Sequence, residues 1–303
     1  MFAVKYRKIS YTISILLVLG SIFAIFFYGL NLSIDFTGGT LLEISYTGKA
    51  PEISGVNDVL DSMQIKDYSV REVGAENVES KKYLIRSSEM DEGTRISVSN
   101  ALKGIAETPD NFKEERVSII GPVLGKEAMV KSLWSIIAVV LAIILFIAFA
   151  FRHVSKPVSS WKYGVIAVIA LIHDIMIPIG VFAVLGYMFG IEVDTLFVTA
   201  LLVIFGFSVH DTIVVFDRVR ENLRDARGKG EFSEIVGGSI SQTMGRSINT
   251  SFTTLLALVA IMIWGPASVF YFTLALIIGI ISGTYSSICL ASPLLVTFKG
   301  FRK

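Results

Sequence analysis

Residues 195–223, TLFVTALLVIFGFSVHDTIVVFDRVRENL, form a run that is apolar enough to cross a membrane and that carries an ionisable pair inside it. Asp211 is the only acidic residue between Thr195 and Phe216, and His210 precedes it. An ionisable side chain at membrane depth costs at least ~2.5 kcal/mol even on the lenient insertion scale, so it is seldom present without a role. The stretch therefore predicts a transmembrane helix with a functional acid.

The composition of the whole chain is that of an integral membrane protein. Hydrophobic residues make up 53% of the chain and charged residues 17%, whereas soluble domains usually carry about 25% charged residues. The net charge of +1 leaves no basic excess to neutralise phosphates, which argues against a nucleic-acid partner. The single cysteine, Cys289, excludes a disulfide framework and a cysteine-rich metal site.

Six segments are long and apolar enough to cross the ~30 Å hydrocarbon core, which takes ~20 helical residues. The first is too long for the ~7–15-residue apolar region of a signal peptide. No A-x-A-like cleavage site follows it, so we expect it to remain as an anchor. The predicted spans are residues 10–30, 131–151, 163–188, 195–216, 243–264 and 269–298.

The lysine and arginine residues of the chain termini and of the short loops lie on one side of the predicted spans. The short loops 190–194 and 265–268, on the other side, contain neither residue. Because short basic loops stay in the cytoplasm, we expect both termini to be cytoplasmic. The basic residues on the cytoplasmic side are Lys5, Arg7, Lys8, Arg152, Lys156, Lys162, Arg218, Arg220, Arg224, Arg227, Lys229, Lys299, Arg302 and Lys303.

This topology divides the chain into three regions. Residues 1–30 form the cytoplasmic N-terminus and span one, residues 31–128 an external domain, and residues 129–303 the remaining five-span bundle. The segments of the external domain fit a β-α-β-β-α-β arrangement, which is that of a small α/β domain of ferredoxin-like type. Its segments are strands at 39–46, 83–87 and 116–120, and helices at 53–65, with Ser54 as a cap, and at 94–107.

Asp211 and Arg246 are predicted to lie at matched depth on consecutive, oppositely running spans. Asp211 precedes Asp217 by six residues, which places it roughly 9 Å from the cytoplasmic end of its span. An acid and an arginine at one depth can pair, which offsets much of the cost of burying either. The residues alone leave two interpretations open: a structural ion pair, and a proton relay in which movement of the arginine switches protonation of the acid.

His173, Asp174 and His210 are further polar residues within the predicted spans. Each histidine is next to an acid in the sequence, so the two side chains leave a helix roughly 100° apart. We therefore interpret the histidines as hydrogen-bonding residues in preference to ligands of a binuclear metal site. Asp174 is expected nearer the midplane of the membrane than Asp211.

Small residues recur every four positions in span six and form a ridge that lets another helix approach closely. This ridge is either an internal contact or the docking face of a partner chain. Its members are Ala275, Gly279, Gly283, Ser287 and Ala291.

Four blocks of sequence carry a family resemblance: SIDFTGG at 33–39, GFSVHDTIVVFDRVREN at 206–222, RSINTSFTT at 246–254 and GTYSS at 283–287. Together they resemble the SecD/SecF family of protein-export membrane subunits, and the last three fit its SecF branch. His210 departs from the pattern, since many relatives have asparagine there. The external domain is similar only in size and position.

The resemblance implies a place in the resistance-nodulation-division superfamily and in the bacterial inner (cytoplasmic) membrane. Family members work with SecD beside the SecYEG translocon and use the proton-motive force to promote late translocation of unfolded preproteins, after insertion driven by SecA. No cofactor and no metal is implied, and membrane lipid surrounds the spans. Because superfamily transporters have two six-span halves, this chain is expected to be one half and SecD the other.

The resemblance also assigns expected roles to individual residues of the spans. Asp211 and Arg246 fall on the proton-pathway positions of the family. Asp174 matches a recurrent polar position of unclear role, with His173 and His210 as accessory polar residues.

A second set of expected roles concerns a turn and a helix contact. The motif that contains Asp35, Gly38 and Gly39 lies at the junction between span one and the external domain, where its glycines suit a tight turn. We expect it to couple the two mechanically. Gly279 and Gly283 are the expected helix-packing residues of the ridge.

Two alternatives of other classes stay open. The chain could be a scaffold that stabilises its partner and conducts nothing, in which case Asp211 matters only for folding. It could also be half of a small-molecule efflux transporter, although residues 31–128 are few for a drug-binding domain. The absence of a nucleotide-binding P-loop and of a catalytic set in the external domain argues against an enzyme.

The predicted topology can be tested by cysteine labelling in a Cys289→Ser background. A cysteine at Asn77 is expected to react with an impermeant thiol reagent applied from outside intact cells, and one at Lys229 is expected to react only after the membrane is opened. The reversed pattern would overturn the orientation.

Overall fold

The computed structural model describes residues 2–72, 80–150, 160–226 and 229–300. Two compact units make up the fold: one contains the chain up to Asn31 and from Ser132 onward, and the other is Leu32–Lys131. Several residues named above lie outside the described residues, namely Asn77, Arg152, Lys156, Arg227, Arg302 and Lys303.

Among the described residues, six helices are long and apolar enough to cross a membrane, which confirms the predicted number of spans. A short helix α1 (Phe2–Lys5) precedes them, and helices α3 to α5 belong to the second unit. The spans are α2 (Arg7–Tyr28), α6 (Pro122–Ala150), α7 (Ser160–Phe189), α8 (Thr195–Asp225), α9 (Phe232–Trp264), and a sixth that consists of α10 (Phe270–Ser286), a π-helical segment (Ser287–Ala291) and α11 (Ser292–Gly300).

Helices α8 and α9 are longer than the apolar runs that predict them. Helix α8 continues past Phe216 to Asp225, and α9 begins at Phe232 instead of near residue 243. Hydropathy marks only the apolar part of a helix, whereas backbone hydrogen bonding continues into the polar extension. The two helices therefore extend beyond the apolar bundle.

Large apolar side chains lie on the outer surface of the spans. Phe26 is 91% exposed and Trp264 is 80% exposed. An apolar surface of this extent is stable against lipid tails, which are as apolar as the side chains themselves. The chain is a multi-pass membrane protein.

Small residues allow the spans to approach one another closely. A Cβ on Gly180 of α7 would lie 2.4 Å from the Cβ of Ser21 in α2, and one on Gly279 of α10 would lie 2.2 Å from Cδ1 of Ile204 in α8. The five ridge residues of span six are all buried, so the ridge is an internal contact with α8. The alternative, a docking face for a partner chain, is wrong for this ridge.

Regular helical hydrogen bonding is interrupted in two spans. Pro178 lies inside α7 and has no N–H to donate to the carbonyl of Asp174, four residues earlier. Span six becomes π-helical at Ser287–Ala291, where the Ser292 hydroxyl donates to the Ser287 carbonyl at 2.7 Å. Within a membrane such irregular backbone persists only where protein groups satisfy it, and π-helical turns are frequent at functional sites.

The second unit is an antiparallel sheet with the order β2-β3-β1-β4. This order confirms the ferredoxin-like prediction for the α/β domain. Alternate residues of β1 and β3 are buried under two helices, and the core contains Leu42, Ile44, Tyr46, Val56, Leu60, Tyr83, Ile85, Val98 and Leu102. The elements are α3 (Ile34–Thr37), β1 (Gly39–Thr47), α4 (Ile53–Ser62), β2 (Ser69–Glu72), β3 (Ser80–Ser87), α5 (Glu92–Gly104) and β4 (Phe112–Ile120).

Helix α5 begins before its predicted first residue because Asp91 caps it. The Asp91 carboxylate accepts hydrogen bonds from the backbone N–H groups of Gly93 at 3.0 Å and Thr94 at 3.2 Å. The hydroxyl and the backbone N–H of Thr94 hold the pKa of Asp91 below its ordinary value. Helix α4 follows Glu52, whose side chain makes no capping hydrogen bond, so the predicted cap at Ser54 is wrong.

The packing of α10 on α8 predicts an unusual response to a glycine substitution. Alanine normally stabilises a helix over glycine by about 1 kcal/mol, but Gly279→Ala should lower the thermal unfolding temperature of the purified chain, because overpacking costs about 1–3 kcal/mol. Ile204→Ala in the same chain should restore much of the loss. Gly20→Ala is the control, since a Cβ there meets no atom within 4 Å. A stabilising Gly279→Ala would show that the contact with Ile204 does not exist.

Candidate functional site

Helix α8 buries Asp211 and leaves its neighbour His210 on the surface. The Asp211 side chain is 3% exposed and that of His210 is 67% exposed, with His210 Nδ1 3.9 Å from Asp211 Oδ1. Residues adjacent on a helix point about 100° apart, as the sequence predicts for this pair. Asp211 Oδ2 and the neighbouring Thr212 Oγ1 are buried and have no hydrogen-bond partner among the described residues. Unsatisfied buried groups of this kind mark a place for water or for a proton.

Helices α8 and α9 run antiparallel and are joined by polar side chains beyond the apolar region. Asn222 donates to the Ser239 hydroxyl at 2.8 Å, and Arg218 Nε donates to Gln242 Oε1 at 2.6 Å. The same register places Arg246 about one turn, or ~6 Å along the axis, from the level of Asp211. The two residues lie at similar depths.

Arg246 nevertheless does not pair with Asp211. Its side chain lies on the exposed face of α9, and the described part of the chain shows no ion pair for it. The buried face of α9 repeats every four residues through Thr243, Ser247 and Ser251, and Arg246 is rotated away from that face. The expected internal ion pair is therefore wrong, because a hydroxyl-bearing stripe, not the arginine, faces the bundle.

Asp174 of α7 is the centre of a buried polar cluster. The hydroxyls of Ser208 in α8 and of Ser286 in α10 donate to its Oδ2, the latter at 2.7 Å. The Ser282 hydroxyl lies 3.3 Å from the Asp174 carbonyl, which Pro178 leaves without its helical donor. Two other spans thus supply hydrogen-bonding groups to one fully buried residue.

His173 completes this cluster from the same helix. Its Nδ1 lies 2.8 Å from Asp174 Oδ1, so this adjacent pair meets although adjacent side chains were expected to diverge. Both residues are buried, and their side chains converge inside the same pocket of the bundle. The imidazole stacks on Tyr285 with ring centroids 6.0 Å apart, and its Nε2 is buried without a hydrogen-bond partner among the described residues.

The motif with Asp35, Gly38 and Gly39 forms a tight turn into strand β1. Ser33 caps the one-turn helix α3, where its hydroxyl accepts from the Asp35 N–H at 3.2 Å. Both glycines have positive φ, 74° for Gly38 and 132° for Gly39. A Cβ on Gly39 would lie 2.5 Å from the Ser87 carbonyl oxygen. Only glycine fits this turn without strain.

The first turn of α6 packs directly on this motif. A Cβ on Gly38 would lie 2.7 Å from Cα of Pro122, and a Cβ on Gly125 would lie 2.7 Å from the backbone nitrogen of Gly38. The segments that enter and leave the α/β domain are therefore in backbone contact. This contact agrees with a coupling role for the motif, which stays a prediction.

Sequence reasoning missed several residues of these sites. Ser208, Ser286 and Ser247 are hydroxyl residues within apolar spans. Many other serines of the bundle have the same setting, so the sequence does not distinguish these three. Pro122 and Gly125 are far from Gly38 in the sequence, and nothing in the sequence alone connects them to the glycine motif.

Known proteins share this architecture. A family model described as protein export membrane protein SecD/SecF, C-terminal, matches residues 100–300, and a SecD/SecF GG motif model matches residues 23–50. The protein translocase subunit SecF of Thermobaculum terrenum is 40% identical over 98% of this chain and 93% of the relative. The SecF of Anaerolinea thermophila is 37% identical over 97% and 92%.

A solved structure is similar over nearly the whole chain. The crystal structure of SecDF, described as a translocon-associated membrane protein, from Thermus thermophilus superposes with a TM-score of 0.84 at 28% identity. The match covers 98% of this chain and 38% of the SecDF chain, so this chain spans well under half of that polypeptide.

The fold and these matches define a six-span membrane subunit of the protein-translocase class, with an α/β domain inserted after its first span. The chain belongs to the SecD/SecF family of protein-export membrane proteins and is a membrane subunit of the Sec export machinery.

The contact between Gly38 and α6 predicts a second anomalous glycine substitution. Gly125→Ala should disturb the turn, because the new Cβ would meet the Gly38 backbone, although alanine is the better helix former. Hydrogen exchange in the full chain should quicken at the Gly38 amide, which donates to the Ile34 carbonyl at 2.9 Å. Gly104→Ala in α5 is the control, since its Cβ meets no atom within 4 Å. Equal exchange in both variants would contradict the contact.

Proposed function

We propose that this chain works with a SecD-type partner and uses the proton-motive force to promote late translocation of unfolded preproteins through SecYEG, after insertion driven by SecA. The observation that carries the proposal is the buried Asp211, whose Oδ2 has no partner in the described part of the chain. A carboxylate held this way in a membrane span is costly as an anion and neutral when protonated. It is therefore suited to bind and release a proton.

Arg246 supplies a second argument, because it is exposed on a membrane-spanning helix. A guanidinium facing lipid at this depth is unfavourable, and a counter-charge or a polar environment from another chain would stabilise it. The chain spans 38% of the similar SecDF polypeptide, which agrees with a partner that completes the other half. We propose that Arg246 faces this partner and that Asp211, one turn away, shares the proton pathway with it.

The location and orientation follow from the same proposal. The spans lie in the bacterial inner membrane, both termini are cytoplasmic, and the α/β domain is external. The backbone contact between Gly38 and Pro122 then lies where the external domain joins two spans. Movement of the spans would be transmitted to the domain through this contact, with the glycine motif as the coupling element. The chain has no enzymatic activity of its own in this scheme.

The scaffold and efflux alternatives make different predictions about the same residues. A scaffold needs Asp211 only for folding and assembly, and its unpaired Oδ2 would then be an uncompensated cost of about 1–3 kcal/mol. An efflux half-transporter would leave preprotein translocation unaffected when Asp211 is neutralised. One experiment therefore distinguishes the scaffold role and the efflux role from the proposed function.

The experiment follows translocation in inverted membrane vesicles with and without an uncoupler. Asp211→Asn keeps the size and hydrogen bonding of the residue but removes its titratable group, so the uncoupler-sensitive part of translocation should be almost completely lost. Arg246→Lys should also be impaired, because an ammonium does not reproduce the guanidinium fork. Asp217→Asn is the matched control, since Asp217 lies on the same helix with a side chain that is 68% exposed.

The amount of complex in the vesicles has to be equal for all variants. Full uncoupler-sensitive stimulation in Asp211→Asn vesicles that hold normal amounts of complex would remove Asp211 from the proton pathway. The scaffold role would then replace the proposed function.

A further inference from the structure

The pair His173–Asp174 is a second ionisable site of the bundle, and the proposed pathway through Asp211 does not use it. His173 is 2% exposed and Asp174 is 0% exposed, so the protein rather than water must stabilise any charge they carry. A lone buried carboxylate is strongly unfavourable, whereas the pair with one added proton is neutral overall. A proton added to the carboxylate therefore removes the cost of burying its charge.

The hydroxyl of Ser286 shows how the cluster can exist in two protonation states. Ser286 Oγ lies 2.7 Å from Asp174 Oδ2 and 3.1 Å from the Gly283 carbonyl oxygen, but a hydroxyl has one hydrogen to donate. When Asp174 is ionised, the hydroxyl donates to the carboxylate. When Asp174 is protonated, the acid donates to Ser286, and the Ser286 hydrogen turns to the Gly283 carbonyl. Both networks use the same atoms and differ by one proton.

The other partners fit both states. The Ser208 hydroxyl donates to a lone pair of Oδ2 in either network, and His173 Nδ1 donates to Oδ1. The remaining ring nitrogen of His173 is buried and has no hydrogen-bond partner among the described residues. A cluster that only connected helices would be expected to satisfy this atom.

The position of the cluster connects it to the two irregular helices. Ser286 is the last residue of α10 before the π-helical segment, and Gly283 lies one turn earlier. On the other side, Pro178 frees the Asp174 carbonyl, and Ser282 of α10 takes its place as a donor. A change in hydrogen bonding at Asp174 thus acts where both spans already depart from regular helix.

We propose that His173 and Asp174 form a second proton-binding site of this chain, at which uptake of one proton moves the Ser286 hydroxyl from the Asp174 carboxylate to the Gly283 carbonyl. The proton forms an O–H bond at Oδ2, the hydrogen bond between Oδ2 and Ser286 reverses direction, and the Ser286 hydrogen forms a hydrogen bond to the Gly283 carbonyl. The site links protonation to the π-helical segment of span six. It does not depend on the role of Asp211, because the two acids share no hydrogen bond among the described residues.

The site can be observed by infrared difference spectroscopy of the complex of this chain with its SecD-type partner in lipid vesicles. Acidification should produce a carbonyl band of a protonated carboxyl group that shifts in D₂O and that is lost in Asp174→Asn. Ser286→Ala should keep the band but move it to a higher frequency, because the hydrogen bond that the acid O–H donates to Ser286 is removed. Asp217→Asn should leave the band unchanged.

Neighbouring elements carry other titratable groups, whose infrared bands have to be distinguished from the band of Asp174. The Asp211→Asn spectrum should lose a different band, so failure of the Asp211 pathway and failure of this site are distinguishable. The other groups are Tyr285 on α10, His210 on α8, Cys289 in the π-helical segment and Tyr11 on α2.

Two results would overturn the proposal. The first is that the carboxyl bands stay unchanged in Asp174→Asn. If that variant fails to assemble, a spectrum of Ser286→Ala in which the carboxyl band is not shifted would overturn the proposal in the same way. The second is an Asp174 band that persists from acid to alkaline pH and does not exchange in D₂O. That band would belong to a permanently protonated acid that only joins helices.

The link to span six has a reporter in the same spectra. Cys289 lies in the π-helical segment and is the only cysteine of the chain, so its S–H band can be assigned with Cys289→Ser. The band should shift with pH in the wild type and stay constant in Asp174→Asn. A constant S–H band beside a titrating Asp174 would overturn the link to the π-helical segment.

Discussion

Close contact between α8 and α10 is the constraint on which the membrane part of this protein depends. Gly279 leaves the space that Ile204 fills, and Gly283 allows Ser208 to approach. The two helices come near enough for Ser208 and Ser286 to reach the carboxylate of Asp174 on a third span. No bulk water is present in the bilayer core to replace these donors. A larger residue in the ridge would separate the spans and leave a buried acid unsatisfied. The hydrogen bonds to Asp174 therefore depend on the close packing of α8 and α10.

The two buried acids of the bundle differ in whether this chain can satisfy them. Both carboxylate oxygens of Asp174 have donors from the same chain, whereas Asp211 keeps one oxygen unpaired in the described residues. Arg246, at nearly the same depth, faces outward from α9. The carboxylate of Asp174 is thus satisfied within this chain, whereas that of Asp211 is not satisfied among the described residues. This difference agrees with the proposal that Asp211 and Arg246 belong to a proton pathway shared with another polypeptide.

The α/β domain is stabilised by an apolar core, as in a soluble protein. Alternate apolar residues of β1 and β3 are buried against α4 and α5. Its junction is the unusual part. Two consecutive glycines with positive φ let the backbone of the incoming turn touch the start of α6. Side chains at these positions would hold the two segments apart.

Local patterns in the sequence predicted much of this protein. The six apolar runs and most elements of the α/β domain follow from hydropathy and from periods of two or about 3.6 residues, which neighbouring residues set. Strand β2 (Ser69–Glu72) was not among the predicted segments. The glycine motif and the span-four block also placed the chain in its family. Three features depended on tertiary structure: Arg246 lies on the outer face of α9, His173 meets Asp174, and Gly38 contacts Pro122. A rotation of about 100° separates adjacent helical residues, so the face that becomes buried depends on which small residues of other spans lie opposite. The buried face of each helix is therefore fixed only when distant segments pack. It determines which charged side chains find a partner within this chain.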